Sequence, residues 1–211
     1  GEPIAAADGF VSVPHHAPVS GVVEAIRLHP TANGPWGEAI VIRTHPGSVQ
    51  EVLWEQPHDL STLDADGLLA AIQATGIVGL GGGVFPTHAK LKVPTQWPVD
   101  TLVVNGCECE PYLTSDHRIM LEKPADIMAG IAICRQLLGA PRAIIGVEDN
   151  KADAAEALRR CLPDDGSVHV EVVPTKYPQG AGEMLIKTLV GREVPPDSRS
   201  YQIGAYVQNV V

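Results

Sequence analysis

The sequence predicts an α/β fold, in which a parallel sheet with flanking helices follows a small all-β module. Two observations lead to this fold class. Short aliphatic runs alternate with segments of helical period along the second half of the 211 residues, which is the pattern of βαβ units. The first fifty residues instead contain short apolar runs separated by proline and glycine, with no helical period.

The all-β module is predicted over residues 1–50. Its candidate strands are the runs GFVSVP, SGVVEAIRL and EAIVIRTH. Residues 51–60 are predicted to be a connector, and residues 61–211 a second domain. Aromatic residues make up 4% of the chain against 45% hydrophobic residues in total, so we expect aliphatic cores.

The second domain begins with a helix predicted in the segment LDADGLLAAIQATG, where the leucines and the isoleucine share one face. Ser61 and Thr62 are predicted to cap its start, and Gly76 to end it. Three strands and three helices are then predicted in alternation. In chain order they are strand 100–106, helix 124–139, strand 142–149, helix 150–162, strand 167–174 and helix 182–191.

Charge and hydropathy exclude several classes of function. A net charge of −10 argues against binding nucleic acid through phosphate contacts. No stretch approaches 18 uninterrupted apolar residues, so no membrane span is predicted, and no signal-peptide pattern is present. The chain opens on GEPIAAADGF without an initiator methionine, and we expect it to be a piece of a longer protein.

The four cysteines predict neither a disulfide framework nor a metal site. Cys107 and Cys109 form a C-x-C pair, which is not a zinc-ribbon or ferredoxin spacing. Cys134 and Cys161 fall on apolar helical patterns, where buried packing is the expected role. This usage favours a reducing compartment.

Polar segments follow two of the predicted strands, where an open α/β sheet binds its ligands. NGCECEP, residues 105–111, offers Asn105, Glu108 and Glu110. KYPQGAGE, residues 176–183, places a tyrosine and small residues at a helix start, where backbone N–H groups suit an anion. From the residues alone, an acidic surface turn and an ordinary αβ turn explain these segments equally well.

A glycine-rich loop, GLGGGVFPTHAKL, covers residues 79–91. It is not a P-loop, because no Ser or Thr follows a Lys at the required place. It is not a standard dinucleotide fingerprint either, since it lacks the final glycine and follows a helical segment. Glycines let a backbone be approached closely. The three loops together predict a flat or phosphorylated ligand.

Five segments carry a resemblance to a known family. GLGGGVFPTHAKL, VVNGCECEPYLTSDHRIM, IIGVEDNK, PTKYPQGAGEMLIKTLVGREVPP and IGAYVQNV resemble the C subunit of the Rnf ion-translocating electron-transport complex. More distantly, they resemble the NADH-oxidising flavoprotein subunit of respiratory complex I. The opening DGFVSVPHHAPVSGVVEAI resembles part of the family's barrel-sandwich module, which is similar to biotinyl and lipoyl domains. No lysine precedes Lys90, so a modified-lysine carrier arm is not expected.

The resemblance implies a Rossmann-like domain that binds FMN and receives hydride from NADH, with no catalytic side chain and no metal assigned. The implied cofactor contacts come from the loops described above and from the QNV segment near the end of the sequence. They are Gly81, Gly82 and Gly83 against the flavin and nicotinamide, Lys90 at polar flavin atoms, Asn105 and Glu108 at the ribityl chain or ring, Glu110 near the nicotinamide, Tyr177 and Gly180 beside the nucleotide, and Asn209 toward the FMN phosphate.

Three residues depart from the related complex I loops. Val84 stands where that loop has glycine, which narrows the expected pocket. Cys107 stands where that protein has an acidic residue, and Glu183 is a single glutamate where two are paired. These departures keep open a cofactor-free module that only docks partner subunits.

The resemblance also implies a cellular setting. Electrons would pass between NAD(H) and iron–sulfur or ferredoxin carriers, coupled to ion translocation, in a complex whose other subunits are the partners. The family's two four-iron four-sulfur clusters lie in a C-terminal part that is not in this sequence, so the chain alone is expected to be inactive. The expected location is peripheral, on the cytoplasmic face of the bacterial inner membrane. A cobalamin-reductase-type flavoprotein, which shares these loops, is the alternative enzyme.

Overall fold

The computed structural model describes residues 1–31, 34–47, 59–80 and 83–211. They form two compact units, residues 1–89 and 90–211. The boundary between the units therefore falls inside the segment 61–211 that the sequence predicts as one domain. The predicted connector 51–60 lies outside the described residues except at its last two positions.

The first unit contains three antiparallel strand pairs and two helices in its described part. Strand β1 pairs with β2, β3 with β4, and β5 with β6. Their bounds are β1 (Pro3–Ala5), β2 (His15–His16), β3 (Gly21–Thr31), β4 (Gly34–Thr44), α1 (Ala65–Ala74), β5 (Val78–Gly79), β6 (Phe85–Pro86) and α2 (Thr87–Leu91), the last of which runs into the second unit.

The long hairpin of β3 and β4 confirms the strands predicted in SGVVEAIRL and EAIVIRTH. Its apolar side chains are unusually exposed, with Ile26 68%, Leu28 62% and Trp36 64% accessible. The strand predicted in GFVSVP is wrong. There, the carbonyl oxygens of Phe10 and Ser12 accept hydrogen bonds from side chains of helical residues, at 2.6 and 2.9 Å, instead of pairing with a strand.

Helix α1 confirms the predicted helix but not its predicted cap. Asp64 is the N-cap residue, and its carboxylate accepts a 2.8 Å hydrogen bond from the Gly67 N–H. Thr62 lies in a separate 3₁₀ turn that precedes the helix. Gly76 follows the helix with φ +77°, the left-handed conformation expected of a glycine that ends a helix.

The second unit is built on a four-stranded parallel sheet. Its strands are β7 (Thr101–Gly106), β8 (Arg142–Glu148), β9 (Val168–Val173) and β10 (Ala205–Asn209). Their order across the sheet is β10–β7–β8–β9, and every neighbouring pair is parallel. The three predicted strands are confirmed, whereas β10 is an additional edge strand.

Helices cover both faces of this sheet. They are α3 (Ser115–Glu122), α4 (Pro124–Leu138), α5 (Ala152–Arg159) and α6 (Gly182–Val190). On one face, Leu185 and Ile186 of α6 form a buried cluster with Val103 and Ala205 of the sheet. On the other, the Met120 sulfur lies so close to Gly106 that a Cβ there would approach it to 2.8 Å.

Local signals set most of these helix bounds. Pro124 begins α4, and Gly139 and Gly191 end α4 and α6 in the left-handed conformation, as predicted. Helix α5 ends earlier than predicted, and α3 was not predicted. Cys134, within α4, and Cys161, in the turn after α5, are half-buried rather than buried, whereas Cys107 is buried.

Candidate functional site

The carboxyl edge of the parallel sheet joins the two polar loops that the sequence singles out. Asn105, the penultimate residue of β7, donates from its Nδ2 to the Gly180 carbonyl at 2.8 Å. Its Oδ1 accepts a 3.0 Å hydrogen bond from the Cys107 N–H. One amide side chain thus fixes the loop after β7 to the loop after β9.

Gly180 makes the closest approach between these loops. Its N–H donates to the Cys109 sulfur at 3.1 Å. A Cβ on Gly180 would stand 2.4 Å from the Cys107 carbonyl oxygen and 2.7 Å from the Cys109 sulfur, which no side chain tolerates. A glycine is required at this position by packing within the protein itself.

Glu108 caps helix α3. Its Oε1 accepts hydrogen bonds from the Asp116 N–H at 3.1 Å and the Ser115 hydroxyl at 3.2 Å. The helix's own N-cap residue, Thr114, makes no side-chain capping bond. A carboxylate at a helix N-terminus satisfies free N–H groups and interacts favourably with the helix dipole.

Asn209 ends β10 beside a half-buried carboxylate. Its Nδ2 donates to Asp116 Oδ2 at 3.0 Å. Burial raises the pKa of Asp116; the Asn209 hydrogen bond opposes this rise, and the neighbouring Glu108 and Glu110 carboxylates add to it. This corner of the sheet edge is therefore acidic, and Asn209 is the neutral donor within it.

Lys90 lies along β10. Its Nζ donates to the Val207 carbonyl at 2.8 Å and to Gln208 Oε1 at 3.2 Å, and it stands 5.4 Å from the centre of the Tyr206 ring. The residue as a whole is exposed, but its ammonium is partly desolvated against the strand, which lowers its pKa. The ammonium forms no ion pair within the described part of the chain.

Glu110 and Tyr177 face solvent at the same edge. Tyr177 is 81% accessible, and Glu110 is likewise exposed. The predicted site residues of the second unit thus fall into two groups. Asn105, Glu108, Gly180 and Asn209 are engaged within the protein, whereas Lys90, Glu110 and Tyr177 present polar groups that a ligand can reach.

Residues 79–89 of the glycine loop belong to the first unit and include Gly79 and the strand β6 that pairs with β5. Gly81 and Gly82 lie outside the described residues. Gly83 has φ +78°, and a Cβ there would meet no atom within 4 Å, so its face is open. Val84 also has a positive φ, +60°, which is rare for a β-branched residue. Its side chain is 52% accessible.

Several residues of the carboxyl edge were not predicted. Asp149 Oδ1 accepts from the Thr175 N–H at 3.0 Å and so ties the loop after β8 to the loop after β9. Glu148 and Lys151 form a buried ion pair with a distance of 2.7 Å. Asp149, Glu148 and Lys151 all lie in the segment IIGVEDNK, which was noted in the sequence only for its resemblance to the family. The signal available was two acidic residues directly after an aliphatic strand.

The polar groups that remain accessible suit a flavin nucleotide. A flavin offers ring carbonyls and a phosphate that an unpaired ammonium can contact, and a flat ring that open glycine backbone can approach. In the second unit, Lys90 supplies an ammonium of this kind. In the first unit, taken by itself, Gly83 supplies open backbone. In the described part of the chain, no group of three or more metal-binding side chains is arranged to hold a metal ion.

Two family models match the chain. The Nuo51 FMN-binding domain matches residues 72–211, and the RnfC barrel sandwich hybrid domain matches residues 1–46. The first match begins inside the first unit and includes the glycine loop as well as the whole of the second unit.

Curated relatives align over the entire chain. The C subunit of the Na⁺-translocating ferredoxin:NAD⁺ oxidoreductase complex of Acetobacterium woodii is 41% identical over 210 residues, and the chain covers 47% of it. The C subunit of the ion-translocating oxidoreductase complex is 39% identical in Haemophilus influenzae and 41% identical in Yersinia pestis, where the chain covers 32% and 34%. The chain thus spans less than half the length of these relatives, and the resemblance based on the five segments is confirmed.

Among solved structures, the NAD⁺-reducing [NiFe]-hydrogenase in its H₂-reduced state shares the fold. The TM-score is 0.57 at 24% identity, over 70% of this chain and 29% of the hydrogenase chain. The air-oxidised state of the hydrogenase gives the same values.

Proposed function

Because the chain belongs to the Nuo51 FMN-binding domain family, we propose that it is the flavin- and NADH-binding part of the C subunit of an ion-translocating electron-transport complex. The observation that carries this proposal is the Lys90 ammonium, which Val207 and Gln208 of β10 hold without an ion-pair partner in the described part of the chain. An ammonium held by carbonyl oxygens and a ring, rather than by a carboxylate, is available to a ligand.

In this proposal, the accessible predicted residues and the glycine loop contact the ligand directly. Lys90 donates to polar atoms of the flavin, and the glycine loop lies against the flavin and nicotinamide rings. Glu110 and Tyr177, both exposed at the carboxyl edge, line the nucleotide side. When bound, FMN supplies a group that takes up hydride and returns single electrons.

The engaged residues act indirectly in this proposal. Asn105 and Gly180 hold the two loops at a fixed separation, and Glu108 holds α3 beside them. If Asn105 or Glu108 contacts the ribityl chain, it does so with a side chain that hydrogen bonds within the protein already hold in place. Asn209 would reach the phosphate as the neutral donor of an acidic corner.

The wider role is part of the same proposal. Electrons would leave toward iron–sulfur or ferredoxin carriers in a longer protein, within a membrane-associated complex that couples their transfer to ion movement. None of the described helices is both long and apolar enough to cross a bilayer.

The test uses the full-length protein that contains this chain. Purified apoprotein is reconstituted with FMN, dialysed, and titrated with NADH and separately with NADPH under anaerobic conditions. We expect retained flavin that NADH bleaches. Protein that never retains flavin would support a cofactor-free docking module. Flavin whose reduction is coupled to turnover of cobalamin would support the cobalamin-reductase alternative.

A further inference from the structure

We propose that Tyr206 is the positioning residue for Lys90, and that its ring face holds the Lys90 ammonium against β10 in the orientation that a ligand meets. This inference rests on the proposed function for the identity of the ligand. The positioning itself is a property of the protein without ligand.

The geometry comes from three consecutive residues of one strand. The Lys90 Nζ lies 5.4 Å from the centre of the Tyr206 ring, within the range of a cation–π interaction. The carbonyl of Val207 and the side-chain oxygen of Gln208 accept its hydrogen bonds at 2.8 and 3.2 Å. A lysine ammonium has three N–H donors, so these two bonds leave one donor for a ligand within the described surroundings.

The ring of Tyr206, not its hydroxyl, carries this role. Tyr206 is 2% accessible, and its hydroxyl has no hydrogen-bond partner among the described residues. An unpaired buried hydroxyl costs stability, so the hydroxyl does not account for a tyrosine at this position. The part of the Tyr206 side chain that contacts Lys90 is the face of its ring.

The groups recorded against Lys90 in the described part of the chain are uncharged. Cys134 faces it from α4, and burial raises the pKa of this thiol to about 11. Burial also raises the pKa of Tyr206. Both groups stay protonated near neutral pH, so Lys90 carries the positive charge of this cluster, and among the described residues no carboxylate is bonded to it. That arrangement favours an anionic or electron-rich ligand.

The experiment separates ring electrostatics from packing in the full-length protein. One variant is Tyr206→Phe, which keeps the ring face and removes the unpaired hydroxyl. The other carries 3,4,5-trifluorophenylalanine at position 206, which keeps the ring's shape but removes the negative potential of its face. Controls carry the same two replacements at Tyr201, which lies in the 3₁₀ turn before β10. Circular dichroism and thermal unfolding check that all variants fold.

Two readouts are taken. In apoprotein, the pH dependence of Lys90 acetylation is followed by peptide mass spectrometry. Without the ring potential the ammonium is less stable, so we expect acetylation to begin at lower pH in the fluorinated variant, and Tyr206→Phe to follow the wild type. With FMN, we expect the fluorinated variant to bind roughly 3- to 10-fold more weakly than Tyr206→Phe.

Each outcome has a defined meaning. If the two variants at position 206 show the same acetylation profile, or if the replacements at Tyr201 shift it equally, the positioning role of Tyr206 is overturned. If the wild-type protein retains no FMN, the proposed function fails, and the acetylation profiles still decide whether Tyr206 positions Lys90. If the profiles differ but FMN affinities do not, Lys90 is positioned for another ligand and the flavin part of the inference is wrong.

Discussion

The carboxyl edge of the sheet and the glycine loop hold their predicted ligand residues in opposite ways. At the sheet edge, Asn105 and Gly180 are fixed by hydrogen bonds and by contacts closer than any side chain would allow. In the glycine loop, Gly83 faces open space, and Val84 adopts a left-handed conformation that its side chain disfavours. The first region is defined by packing, the second by backbone conformation.

The difference predicts opposite responses to substitution. Adding or removing atoms at Asn105 or Gly180 should destabilise the protein, because their polar groups already have partners and a Cβ has no space at Gly180. Removing the Val84 side chain should stabilise it, because backbone strain is relieved. If substitutions at Asn105 and Gly180 change stability with the same sign as removal of the Val84 side chain, the comparison is broken.

The largest effect is expected for Gly180→Ala. The new Cβ would lie 2.4 Å from the Cys107 carbonyl oxygen, so the two loops must separate. We expect a loss of about 3 kcal/mol in the free energy of unfolding, measured by urea denaturation. Gly130→Ala is the matched control, since Gly130 lies within α4 and a Cβ there meets nothing. It should gain up to about 1 kcal/mol.

Asn105→Ala should follow. It removes the hydrogen bond to the Gly180 carbonyl and the one from the Cys107 N–H, leaving both groups without this partner. The expected loss is about 2 kcal/mol by the same measurement. Asn150→Ala, at an exposed asparagine, should change stability by less than about 0.5 kcal/mol. Equal effects would mean that the Asn105 bridge contributes nothing beyond a surface contact.

Val84→Gly tests the glycine loop, where we expect a gain in stability instead of a loss. A left-handed residue with a Cβ costs about 1–2 kcal/mol, and the greater freedom of glycine in the unfolded chain offsets part of the gain. A net stabilisation of about 0.5–1 kcal/mol is expected in urea denaturation. Val172→Gly, at a similarly exposed valine in β9, should destabilise the protein. Destabilisation by both changes would place Val84 in an unstrained conformation.

Asp116→Asn should give the smallest effect, with a characteristic pH dependence. The folded-state pKa of Asp116 is raised, so the unfolded chain loses this proton first as the pH rises. The resulting cost is absent below the ordinary aspartate pKa and complete above the raised one. After allowance for solvent screening, the asparagine variant should be more stable at pH 7 by less than about 1 kcal/mol. The gain should disappear in acid; a gain that persists there would point to packing as its cause.

Elements with local signals were predictable from the sequence. Strands β7, β8 and β9 are aliphatic runs, and α4 and α6 end at glycines whose left-handed conformation the sequence anticipates. The loops after β7 and β9 were singled out as candidate ligand sites because their polar residues directly follow strands, although ordinary turns explained them equally well. Their mutual contact through Asn105 follows from parallel strands sharing one edge.

The remaining elements depend on partners far away in the sequence. Strand β10 is a short run, AYVQN, that becomes a strand by pairing with β7. Helix α3 is capped by Glu108, seven residues before it. Lys90 and Val207 are 117 residues apart. Local sequence patterns do not show such long-range contacts. Several residues that the sequence predicted as ligand contacts therefore prove to form hydrogen bonds within the protein.

The central claim, that Lys90 beside β10 binds the flavin, is tested most directly by two alanine variants of the full-length protein. FMN dissociation constants are measured for Lys90→Ala and Lys92→Ala, at equal fold stability by circular dichroism. Lys90 donates a charge-assisted hydrogen bond in a partly desolvated place, so its loss should weaken binding roughly 10-fold or more. Lys92 is exposed, and its loss should change binding by less than about twofold. Equal losses, or a larger loss for Lys92→Ala, would contradict the account.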